Sequence, residues 1–150
     1  MSNDLRLTAI IAPCGLNCAK CLAYENGAIR EHSQALRQLL GPNFDAYAER
    51  FTAMEPAFRD WPGFKRLLEF LSQGRCGGCR KNGCLFTACG VHVCIKDKGV
   101  NFCFECAEFP CTNHGLPPIL EQRWRQNNEN LKQIGIDRYF EKTKDLPRYP

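Results

Sequence analysis

The sequence predicts a mainly α fold joined to a small cysteine-rich subdomain that is irregular or built of short β-hairpins. Three observations predict it. Apolar residues recur at helical spacing through 22–74 and again through 117–145, with Gly and Pro punctuating the runs. Eight of the eleven cysteines fall within 76–111, and the other three are Cys14, Cys18 and Cys21. Between Cys76 and Cys111 turn residues are dense and no apolar period persists, so some cross-link must replace a core there. No repeat or low-complexity segment divides the 150 residues, which read as a single domain over 1–150.

Taken in order, LRLTAIIA at 5–12 is apolar and β-branched and reads as a short strand leading into Pro13. PCGLNC is a turn, with Gly15 and Asn17 as candidates for positive φ. A first helix follows Cys21 and carries Ile29, Leu36, Leu39 and Leu40, stopping at Gly41-Pro42. A second starts near Asp45, with Phe44, Tyr47, Ala48 and Phe51, and ends or kinks at Pro56. A third runs from about Pro62 to Gly74, with Phe64, Leu67, Leu68 and Leu71 on one face. Core packing accounts for these aromatics and leucines better than a cofactor pocket does. After Pro117-Pro118 a fourth helix carries Leu120, Trp124, Asn127, Leu131 and Ile134 to a cap at Gly135. A short fifth begins at Asp137 and buries Tyr139 and Phe140, and the tail DLPRYP is extended.

The cysteines carry the chemistry. Cys18/Cys21, Cys76/Cys79 and Cys103/Cys106 are Cys-x-x-Cys pairs, a spacing that puts two sulfurs on one side of a tight turn at tetrahedral biting distance. Three pairs with five further cysteines point to metal ligation by Cys14, Cys18, Cys21, Cys76, Cys79, Cys84, Cys89, Cys94, Cys103, Cys106 and Cys111. Structural zinc takes four ligands, so eleven cysteines and one histidine suffice for two or three Zn2+. His92 and His114 lie among the cysteines and are the candidate histidines, while His32 falls on a predicted helix and reads as a surface residue. The spacing leaves the grouping open: Cys76 and Cys79 could join Cys89 and Cys94, or Cys103 and Cys106.

The alternative cofactor is a [4Fe–4S] cluster with an electron-transfer or redox role. Cys14-x3-Cys18-x2-Cys21 has the spacing used by radical S-adenosylmethionine enzymes. Those enzymes need a β/α barrel, and no strand–helix alternation is present. A redox dithiol at Cys76/Cys79 would need a βαβ context that is also missing. Pairing Cys94 with His92, or Cys111 with His114, rests on sequence proximity alone. No catalytic constellation emerges, and the sequence leans against an enzyme.

No apolar stretch approaches the ~20 residues of a membrane span, and the N-terminus lacks a cationic leader and a cleavage site. A reducing cytoplasm is therefore the expected location, where clustered cysteines hold metal more often than they form disulfides. The formal charge of +4 counts thiols as neutral; eleven thiolates on three divalent ions carry −5 and bring the holo protein to −1. Basicity is thus weak evidence for nucleic acid. Arg75, Arg80, Lys81, Lys96 and Lys98 with Phe86, Phe102 and Phe104 could form a contact face, but a solvated rim around the metals explains them better. A protein partner fits an interaction module better than nucleic acid does, and the partner itself is unknown.

PCGLNCAKC, CGGCR and CIKDKGVNFCFECAEFPC together resemble the cysteine-rich prokaryotic family catalogued as domain of unknown function 3795. The similarity extends to NLKQIGIDRYFEKTKDLPRY near the C-terminus. The resemblance implies a cytoplasmic bacterial or archaeal protein with zinc-binding cysteines, and it supplies no activity. Every cysteine but Cys84 corresponds to a motif cysteine, which makes Cys84 the candidate free thiol or private ligand.

Overall fold

A computed structural model describes residues 3–149. Among them are seven α-helices: α1 (Asn3–Ile10), α2 (Ala28–Leu40), α3 (Phe44–Phe51), α4 (Trp61–Gln73), α5 (Val91–Lys98), α6 (Pro118–Ile134) and α7 (Ile136–Thr143). Three 3-10 turns, Cys18–Lys20, Pro56–Asp60 and Cys103–Glu105, complete the elements. The fold is mainly helical, as the apolar periods predict.

The spine is α6. Pro118 sits in its first turn, where a missing N–H costs nothing. Gly135, at φ +77°, ends it with a bond from its N–H to Leu131 O and turns the chain into α7. Its buried stripe is Trp124, Asn128 and Leu131, one helical face. Leu131 joins Ile11, Phe102 and Tyr139 in one apolar cluster, and Trp124 joins Val91 and Ile95 in a second. Between them Asn128, fully buried, donates to Pro13 O (3.2 Å) and Trp124 O (3.0 Å) and accepts from Phe104 N (3.1 Å). This one side chain ties the N-terminal loop and the second cysteine block to the spine. Asn128→Ala is expected to cost about 2–3 kcal/mol by orphaning buried backbone groups, seen as a lower denaturant midpoint with an unchanged slope.

The strand expected over 5–12 is instead α1. Leu7 and Ile11 stand four residues apart, and both are buried, with α1 packed along α7. In a short apolar run a period of two and a period of four are both satisfied, and packing decides. Asn17 has φ −78°, so Gly15 alone takes the positive φ of the turn.

Hairpins are likewise absent from 76–111 among the described residues. The block holds α5, a 3-10 turn and irregular turns, and the chain's β pairing is two isolated bridges, Ile11↔Asn17 and Tyr24↔Cys76. The second bridge matters for the site. Glu25 N donates to Cys76 O (2.9 Å) and Cys76 N to Ala23 O (2.9 Å), which closes the α2–α4 excursion and brings 14–25 onto 76–79.

That excursion forms its own layer. Helices α2 and α4 pack together, with Arg37 donating to Ser72 Oγ (2.8 Å) and Gln34 to Ser72 O (3.1 Å). Phe44 meets Trp61 edge-on at 4.7 Å, and Asp45 accepts from Trp61 Nε1 (2.8 Å) and Lys65 Nζ (2.6 Å). No described helix is long and apolar enough to cross a membrane.

Candidate functional site

Each Cys-x-x-Cys pair is built by a local turn. Asn17 Oδ1 accepts from Ala19 N (2.9 Å), starting the 3-10 turn whose closing bond runs from Cys21 N to Cys18 O (2.8 Å). Cys103 and Cys106 repeat this geometry: Cys106 N donates to Cys103 O (3.1 Å), and Glu105 accepts from Asn101 N (2.7 Å). Cys76 and Cys79 use two buried glycines, with Gly78 at φ +102°.

A single motif recurs around the sulfurs. The amide two residues ahead points back at the thiol: Gly78 N to Cys76 Sγ (3.4 Å), Phe86 N to Cys84 Sγ (3.5 Å) and Glu108 N to Cys106 Sγ (3.5 Å). Leu16 N does the same to Cys14, and Val91 N with His92 N, at the start of α5, to Cys89. Cys79 N serves Cys18. A neutral thiol is a weak acceptor and a thiolate a strong one, so each of these bonds is stronger to an ionised sulfur.

The fold sorts the eleven cysteines into two groups. In the first, Cys14, Cys18, Cys21 and Cys79 pack around Ala12 and Tyr24, and Cys14, Cys79, Cys84 and Cys89 line a cavity of about 80 Å3. Cys76 is within electrostatic reach of Cys18, Cys21 and Cys84. In the second, Cys94, Cys103, Cys106 and Cys111 line a cavity of about 20 Å3, room for about one atom-sized occupant. Helix α5 separates the groups: Cys89, just before it, faces the first, and Cys94, one turn in, faces the second. Cys84 lies fully within the first group.

Burial sets the protonation of these thiols. It pushes Cys14 up to about 11 and Cys103 up to about 12, and it also raises Cys76, Cys89 and Cys94. A hydrogen bond from the Cys79 S–H lowers Cys18 to about 6 and Cys84 to about 5, while Cys79 itself is raised by the same two bonds. One S–H proton can serve one neighbour at a time, so these shifts belong to the trio and not to either thiol. A cation placed among the three sulfurs would satisfy them all at once.

Among the described residues no three Cys, His, Asp or Glu side chains are drawn together closely enough to form a metal centre as they stand. The donor set nevertheless fits one. His92 Nδ1 is buried without a partner and lines the cavity with Cys14, Cys79, Cys84 and Cys89. Trp124 Nε1 is also buried without an acceptor, and the sulfur it faces is that of Cys103, whose ionised form it favours. His114 has other duties: Nδ1 accepts from Leu116 N (2.9 Å), Nε2 is 3.7 Å from Glu121, and the ring packs on Trp124 at 4.8 Å. His32 is exposed on α2.

Two arginines flank the first group, one of them, Arg148, unmarked in the sequence. Arg80 donates to Thr8 O, Ile11 O and Asn101 O (each 2.6 Å), sits over the Phe102 ring at 5.0 Å, and lies within electrostatic reach of Cys18, Cys79 and Cys14. Arg148 donates to Asn17 O (3.1 Å) and faces Cys21, Cys14 and Cys18. Arg80, with its three carbonyl bonds, and the buried Phe102 are therefore neither part of the solvated rim favoured from sequence nor free for the contact face weighed against it. No sequence signal marks Arg148, which reaches the knuckle from the far end of the chain.

The knuckle is held against α6 at Gly15. A Cβ there would stand 2.4 Å from Asn127 Cβ, on a backbone at φ +81°. Gly15→Ala is expected to cost about 2–4 kcal/mol, combining left-handed strain with a clash, and to expose the first thiol group to alkylation at native conditions.

No curated protein and no solved structure matches the chain. A family model described as protein of unknown function (DUF3795) matches residues 10–115, a span that holds every cysteine and ends before the C-terminal stretch also thought similar. With most of its length and all of its clustered thiols inside that match, the chain belongs to the DUF3795 family.

Proposed function

We propose that this protein binds metal through its cysteines, with structural zinc as the ion, and that the metals knit 14–21 and 76–111 into one subdomain of a single domain. Cys94, Cys103, Cys106 and Cys111 form a closed four-thiolate site. The remaining seven cysteines, with His92 at the rim, hold one or two further ions. The observation that carries this is the set of seven amides aimed at six sulfurs, an arrangement suited to thiolate and wasted on thiol. The eleven free thiols fit a reducing compartment such as the cytoplasm. The role that follows is a metal-stabilised module for a protein partner.

A [4Fe–4S] cluster is the second reading, favoured by one observation: Cys14, Cys18 and Cys21 sit beside four further thiols, more than one zinc requires. Elemental analysis and a visible spectrum of protein purified without air separate the two. About two or three zinc per chain and no visible band are expected. Iron with acid-labile sulfide and a band bleached by dithionite would replace zinc by the cluster. Protein that is folded and free of both metals would overturn the proposal.

A further inference from the structure

Behind the first thiol group, between the knuckle, α6, α7 and the C-terminal tail, lies a second cavity of about 200 Å3. Three cations line it: Lys20, Arg123 and Arg148. Among the described residues no carboxylate lines it, and none of the three cations forms a salt bridge. Their recorded partners are backbone carbonyls. Lys20 Nζ donates to Leu146 O (2.6 Å), Arg123 to Arg148 O (3.2 Å) and Arg148 to Asn17 O (3.1 Å). A carbonyl takes a hydrogen bond but leaves the charge standing. Arg148 also faces Cys21, Cys14 and Cys18, so the positive potential focused into the concavity comes chiefly from Lys20 and Arg123, with Leu146 and Pro147 as an apolar wall. Each guanidinium also keeps most of its five donors, in the planar fork that matches a tetrahedral oxyanion.

We propose that this cavity is a binding site for a small phosphate-class oxyanion, such as inorganic phosphate or a compact phosphate monoester. The cavity adjoins that of the first thiol group, with which it shares Leu16, Arg123 and Arg148, but anion binding there does not require the cysteines to hold metal. Arg123 and Lys20 bind the oxyanion, and Leu146 and Pro147 pack against any short organic portion. The C-terminal tail supplies part of the wall, so anion binding also fastens the tail over the knuckle.

The test is calorimetric titration of the purified full chain, in whatever metal state it is isolated, with inorganic phosphate at constant ionic strength set by potassium chloride. Saturable one-site binding is expected, with a rise in Tm that grows with phosphate. Arg123→Gln is expected to weaken phosphate binding about tenfold or more, with an unchanged circular dichroism spectrum and unchanged metal content. Should that variant fail to fold, Lys20→Gln, at a half-buried position, carries the test and is expected to show a loss of the same order. The absence of saturable binding at constant ionic strength would overturn the proposal. So would phosphate affinity equal to that of the unsubstituted protein in whichever variant folds.

Discussion

With zinc bound as proposed, its removal is expected to unfold the cysteine-rich half. The expected readings are lost far-UV signal from α5 and the 3-10 turns, and cleavage by trypsin within 76–111. The reason lies in what is buried there. Over 76–111 the large buried side chains are Val91, Ile95 and Phe102, and the remaining packing partners are mostly cysteines. Three apolar side chains cannot order a block whose regular structure is one isolated β-bridge, one short helix and a 3-10 turn. A structural zinc site contributes on the order of 10 kcal/mol to folding. Cys103→Ser with Cys106→Ser should reproduce the effect at the second group, and Cys76→Ser with Cys79→Ser at the first. The pH dependence has a fixed sign. Cys14 and Cys103, raised to about 11 and about 12, bind protons at neutral pH until a cation displaces them. Chelation should therefore succeed at lower chelator concentration as pH falls. Unchanged circular dichroism and protease resistance after complete metal removal would defeat this account.

The helices with an apolar period were legible from sequence: α2, α4 and α6 stop at Gly41, Gly74 and Gly135, α7 begins one residue before Asp137, and α3 starts as expected but ends at Phe51, short of Pro56. Helix α1 was not, because a short apolar run suits either period until Leu7 and Ile11 find α7. Helix α5 was hidden among cysteines, although Val91 and Ile95 are one turn apart and Gly99, at φ +67°, caps it. The three Cys-x-x-Cys turns were legible because their geometry is local. The division of the sulfurs into seven and four was not, because it depends on α5 turning Cys89 and Cys94 to opposite sides. Nor were Arg80 and Arg148, whose place beside the sulfurs is set by long-range bonds to carbonyls such as Ile11 O and Asn17 O.

Trp124 links the two halves of the problem, and its substitution is expected to have the largest effect of any single residue. It is 2% exposed, meets Phe109 edge-on at 5.0 Å and His114 at 4.8 Å, and lines both sulfur cavities. It is thus the wall between the groups. Trp124→Ala should cost about 3–5 kcal/mol, since its neighbours come from α5, the Phe109 loop and the His114 turn and cannot all close on the void. In a chain of this size that lowers Tm by about 10 °C. Trp124→Phe keeps most of the apolar contact and removes only the indole N–H. That N–H has no acceptor unless the Cys103 sulfur is ionised. With Cys103 a neutral thiol that N–H is a buried unsatisfied donor, so its deletion alone costs the fold little. With metal bound, the same substitution should weaken affinity at the second group by about tenfold through the lost N–H···S bond. The two variants separate packing from chemistry: equal metal affinity in Trp124→Phe and the original would show that the indole only fills space, and a Trp124→Ala loss below about 1 kcal/mol would show that it does not even do that.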